Sequence, residues 1–457
     1  MEVAGKKVLV IGLARTGVAV VRFLLERGSE AVITDDKREA DLGPWIEQLG
    51  AIRAKSPLPV KLYLGGTFPP PSEKPDLAVL SPGVPLSHPV VRGAMDAGVP
   101  VISEIELAYR VLKGRIVAVT GSNGKTTCTA MLGAMLAKRY PSTFISGNIG
   151  TPLISQVQNE DTASWHVVEV SSFQLETIDH FRPNVAVMLN LTPDHLDRHG
   201  SMDLYGIAKE RIFKNQMEED AAVLNADDAR VKAMAPRVHS DVHWFSARNP
   251  VSRGAFVREG AVWLREGKDD FKVINIAEIP LRGSHNLENV LACTAAGFAA
   301  GVSPEQMALA VRDFKAVEHR LEFVTEIGAV SFFNDSKATN VDAAIKALEA
   351  FSEPLVVLMG GRDKGADFSD LRESVRQRVR HIVVIGEAAE KIAAALGDLK
   401  PISRAAGLEE AVRLGMEKSR PGDVVLLAPA CASFDMFQDY EDRGRQFKAA
   451  VMKLKGQ

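Results

Sequence analysis

Residues 115–136 read RIVAVTGSNGKTTCTAMLGAML, and the order of residue types in this stretch decides the fold. The run Ile116–Val119 is apolar without alternation, as in a strand covered on both faces. Gly121-Ser122-Asn123-Gly124-Lys125-Thr126-Thr127 follows it, and then Met131, Leu132, Met135 and Leu136 recur at helical spacing. Strand, glycine turn, Lys-Thr and helix in that order predict a phosphate loop. Glycines let backbone N–H groups turn inward around an anion, and the helix N-terminus adds partial positive charge. Lys125 can reach the β- and γ-phosphates and Thr126 can ligate Mg²⁺. Val119 stands where the first glycine of the usual G-x-x-x-x-G-K-[ST] spacing would be.

Working outward, the same alternation of a short apolar run and a helix-length segment fills most of the chain. Strands are expected at 7–12, 31–36, 76–82, 166–172, 185–190 and 221–227, and again at 330–336, 354–361, 381–386 and 423–429. Such alternation predicts an α/β protein built on parallel sheets. Residues 242–279 break it: their period is closer to two, Glu259-Gly260 is a turn signal, and a small antiparallel patch is expected there. Six prolines between Pro57 and Pro75 predict a loop. At roughly 100–200 residues per domain, 457 residues predict three domains, with boundaries at 1–103, 104–316 and 317–457.

Composition excludes several classes. Fifty-five basic and 58 acidic side chains leave a net charge of −3, with no basic field for nucleic acid. No apolar run approaches the ~18–20 residues of a membrane helix, and the N-terminus enters a strand pattern without a signal-peptide core. Cys128, Cys293 and Cys431 are scattered, as in a reducing cytoplasm, and predict neither a disulfide framework nor a zinc cluster.

Further polar groups stand at strand ends. Gly12-Leu13-Ala14-Arg15-Thr16-Gly17 resembles a dinucleotide turn with Ala14 replacing its middle glycine, and Asp35 and Asp36 end the next strand. A nicotinamide site, another nucleotide diphosphate site and plain strand–helix packing all remain open. Glu169 lies inside an apolar strand, where a charge is costly unless paired or bound to metal. His195 falls just past a strand end, so Glu169, His195 and Thr126 form a candidate Mg²⁺–phosphate set, whereas Lys209 reads as an ordinary helix lysine. Asn286 and Asn289 share one helix face and suit a polar ring such as adenine. Arg320, Lys337, Arg362 and Lys364 could gather around anions in the last third.

Together, TGSNGKTT, EVSSFQLE, LNLTPDHLDRHG, GSHNLENVLA, EHRLE, NDSKATN, GGRDKGADF and PACASFDMF resemble the Mur ligase family, the ATP-dependent amide ligases of peptidoglycan precursor synthesis. The resemblance implies a Rossmann-like N-terminal domain, a P-loop ATPase-type central domain and a Rossmann-like C-terminal domain. It implies ATP and two Mg²⁺ ions, with UDP-N-acetylmuramoyl-L-alanine and D-glutamate as substrates of a cytoplasmic monomer, and neither nucleic acid nor membrane as partner. The first glycine turn would hold UDP through Arg15, Thr16, Asp35 and Gly83, with Asn148 nearer the sugar. Gly121, Ser122, Asn123, Gly124, Lys125, Thr126 and Thr127 would bind ATP phosphates, and Asn286, Asn289, His319, Arg320, Asp335 and Lys337 would surround the rest of ATP. Lys337, Thr339, Lys364, Ser433 and Tyr440 would bind D-glutamate. Thr126, Glu169, His195 and a carbamylated Lys209 would ligate metal, and Lys125, His195 and Lys209 would be the catalytic residues. A folylpolyglutamate synthase-like ligase and an NAD-dependent oxidoreductase are the alternatives.

Overall fold

The computed structural model describes residues 2–148, 150–315, 317–363 and 365–456. Three sheets organise it. The first contains β1 (Lys7–Ile11), β2 (Glu30–Asp35), β3 (Val60–Leu64), β4 (Leu77–Leu80) and β5 (Val101–Ser103), in the order β3-β2-β1-β4-β5. All its pairs are parallel. The strand order reverses at β1/β4, and in open parallel sheets ligands bind in the crevice at that point.

The second sheet contains β6 (Arg115–Thr120), β7 (Thr143–Gly147), β8 (Trp165–Glu169), β9 (Val185–Met188), β10 (Ala221–Asn225), β11 (Asp241–Ser246), β12 (Gly254–Arg258), β13 (Ala261–Glu266) and β14 (Asp269–Asn275). Its order is β14-β13-β12-β11-β10-β9-β6-β8-β7, which puts β6 between β8 and β9. The third contains β15 (Glu322–Ile327), β16 (Val330–Asn334), β17 (Leu355–Gly360), β18 (Val379–Ile385), β19 (Ile402–Arg404) and β20 (Val424–Leu427), in the order β15-β16-β20-β17-β18-β19.

The chain clusters into two compact units. One runs to Leu191 and adds His195–Ile274 and Val290–Val311; the other comprises Thr192–Asp194, Asn275–Asn289 and the chain from Arg312 onward. The first two sheets therefore share a unit. Buried aliphatic residues of β6, β8, β9 and β10 pack with those of β1, β2 and β4 in a shared apolar cluster. The connecting helix Glu104–Tyr109 carries two buried carboxylates between them. Glu104 accepts the Ile154 N–H at 2.7 Å, and Glu106 accepts the N–H groups of Asp179, His180 and Phe181.

Two expectations need correction. The proline-rich segment contains β3, because its prolines flank a proline-free run, Val60–Leu64, that pairs as an edge strand with β2. The expected patch at 242–279 is antiparallel only in part. β11 is parallel to β10, and β12 is parallel to β11; antiparallel pairing starts with the β12–β13 hairpin. Its turn residues, Glu259 and Gly260, both have positive φ (50° and 68°), the geometry that matches strand twist in a two-residue turn. Among the described residues, no helix is long and apolar enough to cross a membrane.

Candidate active site

β6 delivers Thr120 to the carboxyl edge of its sheet, and the chain turns at Gly121 (φ 148°) and Gly124 (φ 88°) before entering the helix Lys125–Ala137. A Cβ at Gly121 would meet the Leu189 Cβ at 2.9 Å, so both backbone and neighbour require glycine. Asn190 clamps the loop: its backbone carbonyl accepts the Ser122 N–H (3.0 Å) and its Oδ1 accepts the Asn123 N–H (2.8 Å). The Lys125 ammonium donates to the carbonyls of Gly121 (2.9 Å) and Ser122 (2.8 Å). Lys209, fully buried on the helix Met202–Glu210, donates to the same Gly121 carbonyl at 2.8 Å. Two ammonium groups thus converge on one carbonyl of the loop, an arrangement that suits a polyphosphate.

Glu169 ends β8, buried to 2% exposure. Its Oε1 accepts from Asn148 Nδ2 at 3.2 Å, while Oε2 is buried with no hydrogen-bond partner among the described residues. A bare buried carboxylate oxygen is costly unless a cation takes it, so the residue fits a divalent metal. His195 caps the short helix Leu196–His199 in the left-handed region (φ 52°), with the Phe173 ring edge-on at 5.0 Å. Thr126 lies in the first turn of the phosphate-loop helix.

At the switch point of the first sheet, Gly12 (φ 95°) turns the chain into the helix Arg15–Glu26. A Cβ on Gly17 would meet the Gly12 carbonyl oxygen at 2.1 Å, so the helix can approach the turn only as glycine. Asp35, at the end of β2, accepts the Leu13 N–H (2.7 Å) and the Lys37 N–H (2.9 Å), which makes it the brace of the turn. Ser81 Oγ donates to the Gly12 carbonyl at 3.0 Å from the loop that carries Gly83. Arg15 donates to the Gly150 carbonyl at 3.1 Å, which brings the turn and the Asn148 loop together. Thr16 is half-buried in the first turn of that helix.

In the second unit, β16, β17 and β20 are neighbours, and the segments 335–340 and 428–433 leave the carboxyl ends of β16 and β20. The Lys337 ammonium lies 3.6 Å from the Tyr440 ring centroid, a cation–π contact. The Thr339 N–H donates to the Lys337 carbonyl at 2.7 Å. Ser433 is buried, and its carbonyl accepts the Phe437 N–H (2.9 Å). Asp335 is buried, and desolvation raises its carboxyl to about 7 although Arg320 pulls the other way. His319 (φ 65°) bonds through Nδ1 to the Asn334 amide at 2.9 Å, and a Cβ on Gly444 would strike that ring at 2.2 Å. Asn289 Nδ2 donates to Asn286 Oδ1 at 3.0 Å, so the two amides do share a face. His285, on the same helix, has its imidazole lowered to about 4 by burial, then by Lys346 and Arg320. Lys364 lies outside the described residues.

Three organising residues escape sequence reasoning: Asn190, Arg198 and Arg443. Arg443 is fully buried and donates to Ser336 Oγ (3.0 Å), the Ser336 carbonyl (2.8 Å) and the Cys431 carbonyl (3.2 Å). Burial draws its guanidinium down to about 10, so it stays charged at neutral pH. It ties the segment after β16 to the segment after β20. In sequence it is one arginine of a charged helix, and no local signal separates it from Arg445.

The comparisons with known proteins agree with this geometry. Residues 6–103 match the Mur ligase MurD-like N-terminal domain, 119–297 the Mur ligase middle domain, and 319–431 the Mur ligase glutamate ligase domain. The UDP-N-acetylmuramoylalanine–D-glutamate ligase of Koribacter versatilis is 47% identical, over 99% of this chain and 99% of that relative. The ligase of the same name from Acidobacterium capsulatum is 48% identical, over 100% and 98%. Among solved structures, MurF ligase from Thermotoga maritima in complex with ADP shares the fold with a TM-score of 0.62 at 18% identity, covering 93% of this chain and 96% of that one. With three family domains in order and near-complete coverage by relatives of this identity, the chain belongs to the Mur ligase family.

Proposed function

We propose that this chain couples ATP cleavage to amide-bond formation between UDP-N-acetylmuramoyl-L-alanine and D-glutamate, a step of peptidoglycan precursor synthesis. The observation that carries this reading is 47% identity over 99% of the chain to a ligase of that name. The doubly cationic phosphate loop supports the ATP half of the reaction.

A carboxylate does not acylate an amine at neutral pH, because oxide would have to leave. Phosphorylation by ATP replaces that leaving group with phosphate. The L-alanyl carboxylate attacks the γ-phosphorus, ADP departs, and the acyl phosphate is then attacked by the amine of D-glutamate. Carboxylate and γ-phosphate repel each other, so the first step needs positive charge placed in advance. Lys125 supplies it at the phosphate loop, on a side chain held by two loop carbonyls. Bound Mg²⁺ would add screening of the transferring phosphoryl group. Thr126, Glu169, His195 and Lys209 in its carbamate form are the residues that would hold two such ions. Carbamylation would convert Lys209 from an ammonium to an anionic oxygen donor and would relieve its crowding with Lys125 on the Gly121 carbonyl.

Arg15, Thr16, Asp35, Gly83 and Asn148 would bind the UDP-sugar end at the first glycine turn. Asn286, Asn289, His319, Arg320, Asp335 and Lys337 would complete the ATP site. Lys337, Thr339, Lys364, Ser433 and Tyr440 would take D-glutamate. The protein would act as a monomer in the cytoplasm.

Phosphate release from ATP with UDP-N-acetylmuramoyl-L-alanine tests the reading, run with D-glutamate, L-glutamate or no amino acid. Release confined to D-glutamate is expected; release indifferent to the amino acid sinks it. For Lys209→Ala, lost activity should return in part with bicarbonate and a short-chain carboxylic acid, and no response would refute the carbamate.

A further inference from the structure

Arg198 is placed to do more than cap the turn that His195 opens. Its Nη1 donates to the Pro82 carbonyl at 3.1 Å, and its Nη2 donates to the Val84 carbonyl at 3.3 Å. These are the carbonyls of the two residues that flank Gly83. A Cβ on Gly83 would meet nothing within 4 Å, so the face of the loop left by this grip is open for close approach by a ligand. The same Nη2 donates to Glu176 at 3.1 Å, and the guanidinium carbon lies 3.8 Å from the centroid of Phe173. Phe173 in turn meets the His195 ring edge-on. One planar, pre-oriented donor fork thus ties a loop of the first sheet to the His195 turn of the second, which lysine could not reproduce.

We propose that Arg198 is a positioning residue for the nucleotide-sugar substrate: it presents Gly83 at the UDP-side crevice and sets that loop in register with the His195 turn. The inference rests on the assignment of Gly83 to the UDP-sugar site. Phe173 and Glu176 hold the guanidinium flat, so its two carbonyl contacts survive without substrate. No contact with a reacting atom is involved.

The test uses the full chain as Arg198→Ala, Arg198→Lys and Glu176→Gln. Hydrogen exchange of the Ser81 and Val84 amides, which donate to the Ile11 and Ser81 carbonyls, should accelerate at least tenfold in substrate-free Arg198→Ala. KM for UDP-N-acetylmuramoyl-L-alanine should rise ten- to a hundredfold while KM for ATP moves less than threefold. Arg198→Lys, able to reach one carbonyl, should recover part of both effects, and Glu176→Gln should show a smaller change of the same kind. Unchanged exchange of the Ser81 and Val84 amides would overturn the grip. Faster exchange with both KM values moving together, or with kcat alone reduced, would overturn the positioning role. If the wild-type chain does not use the UDP-sugar substrate, the functional assignment fails, and the exchange measurement still decides whether Arg198 holds the loop.

Discussion

Two glycine turns in the first unit are built on the same plan and tuned to opposite charge. Each follows a buried parallel strand and feeds a helix N-terminus: Gly12–Gly17 after β1 and Gly121–Thr127 after β6. The first is braced by a carboxylate, Asp35, which already takes the Leu13 N–H. The second is braced by two ammonium groups, from Lys125 and Lys209, on its own carbonyls. A turn that spends an N–H on an internal acid has less positive potential left for polyphosphate. A turn whose carbonyls are capped by cations has more. The two turns share the strand–turn–helix device and differ in the charge of the side chains that brace them.

Breaking the second turn should have the largest effect. Lys125→Ala is expected to lower kcat for ATP-dependent phosphate release by about 10²–10³-fold or more, the usual scale for a preorganised charge at a transition state. Near-normal release in that variant would remove the contrast between the turns. Next comes packing. In Gly17→Ala the new Cβ lies 2.1 Å from the Gly12 carbonyl oxygen, a backbone atom that cannot rotate away. A loss at or above the usual overpacking range of about 1–3 kcal/mol is expected in denaturant melts. Gly133→Ala, on the phosphate-loop helix, meets only the Ile145 side-chain tip at 2.3 Å. Ile145 is 47% exposed and can swing out, so this variant should stay within about 1 kcal/mol of the parent. Equal losses for the two would mean that the first turn tolerates adjustment.

A smaller effect is expected from Asp35→Asn, which weakens a charged hydrogen bond worth about 1.5–3 kcal/mol. KM for the UDP-sugar substrate should rise roughly tenfold, with KM for ATP unmoved. A rise in the ATP value instead would mean that the first turn serves the wrong nucleotide. The mildest test concerns the joint between the two sheets. Burial raises the Glu104 carboxyl to about 7, against 4.5 for the ordinary group. Between those values the unfolded chain ionises while the folded one keeps its proton, so this residue costs stability progressively as pH rises from about 4.5 to about 7. Glu104→Gln keeps the acceptor for Ile154 and removes the cost. Its stability advantage in paired melts should widen across that window and be flat above it; a gap that narrows with rising pH would contradict the buried acid.

The phosphate loop was legible because strand, glycines, Lys-Thr and helix are contiguous, so local sequence already contains the geometry. Glu169 was legible for a related reason: a charge inside an apolar strand must have a purpose, and its bare Oε2 is the structural counterpart of that anomaly. Lys209 and Arg198 look like exposed helix residues in the sequence. Their contacts appear only when the helix Met202–Glu210 and the short helix Leu196–His199 are laid against loops far away in the chain. β3 was hidden by its prolines, which bound the strand without entering it.

What the sequence by itself determined is the periodic framework: parallel α/β units, the glycine turns at strand ends, and the family strings that span the chain. Backbone hydrogen bonding and the burial of contiguous apolar runs are local requirements, and local sequence expresses them. What only the tertiary structure decided is which cation meets which carbonyl. Arg443 closes on Ser336 across 107 residues, Arg198 on Val84 across 114 and Lys209 on Gly121 across 88. A buried charge is tolerated only where several neutral or opposite partners converge on it, and that convergence is a property of packed strands and helices rather than of neighbours in the chain.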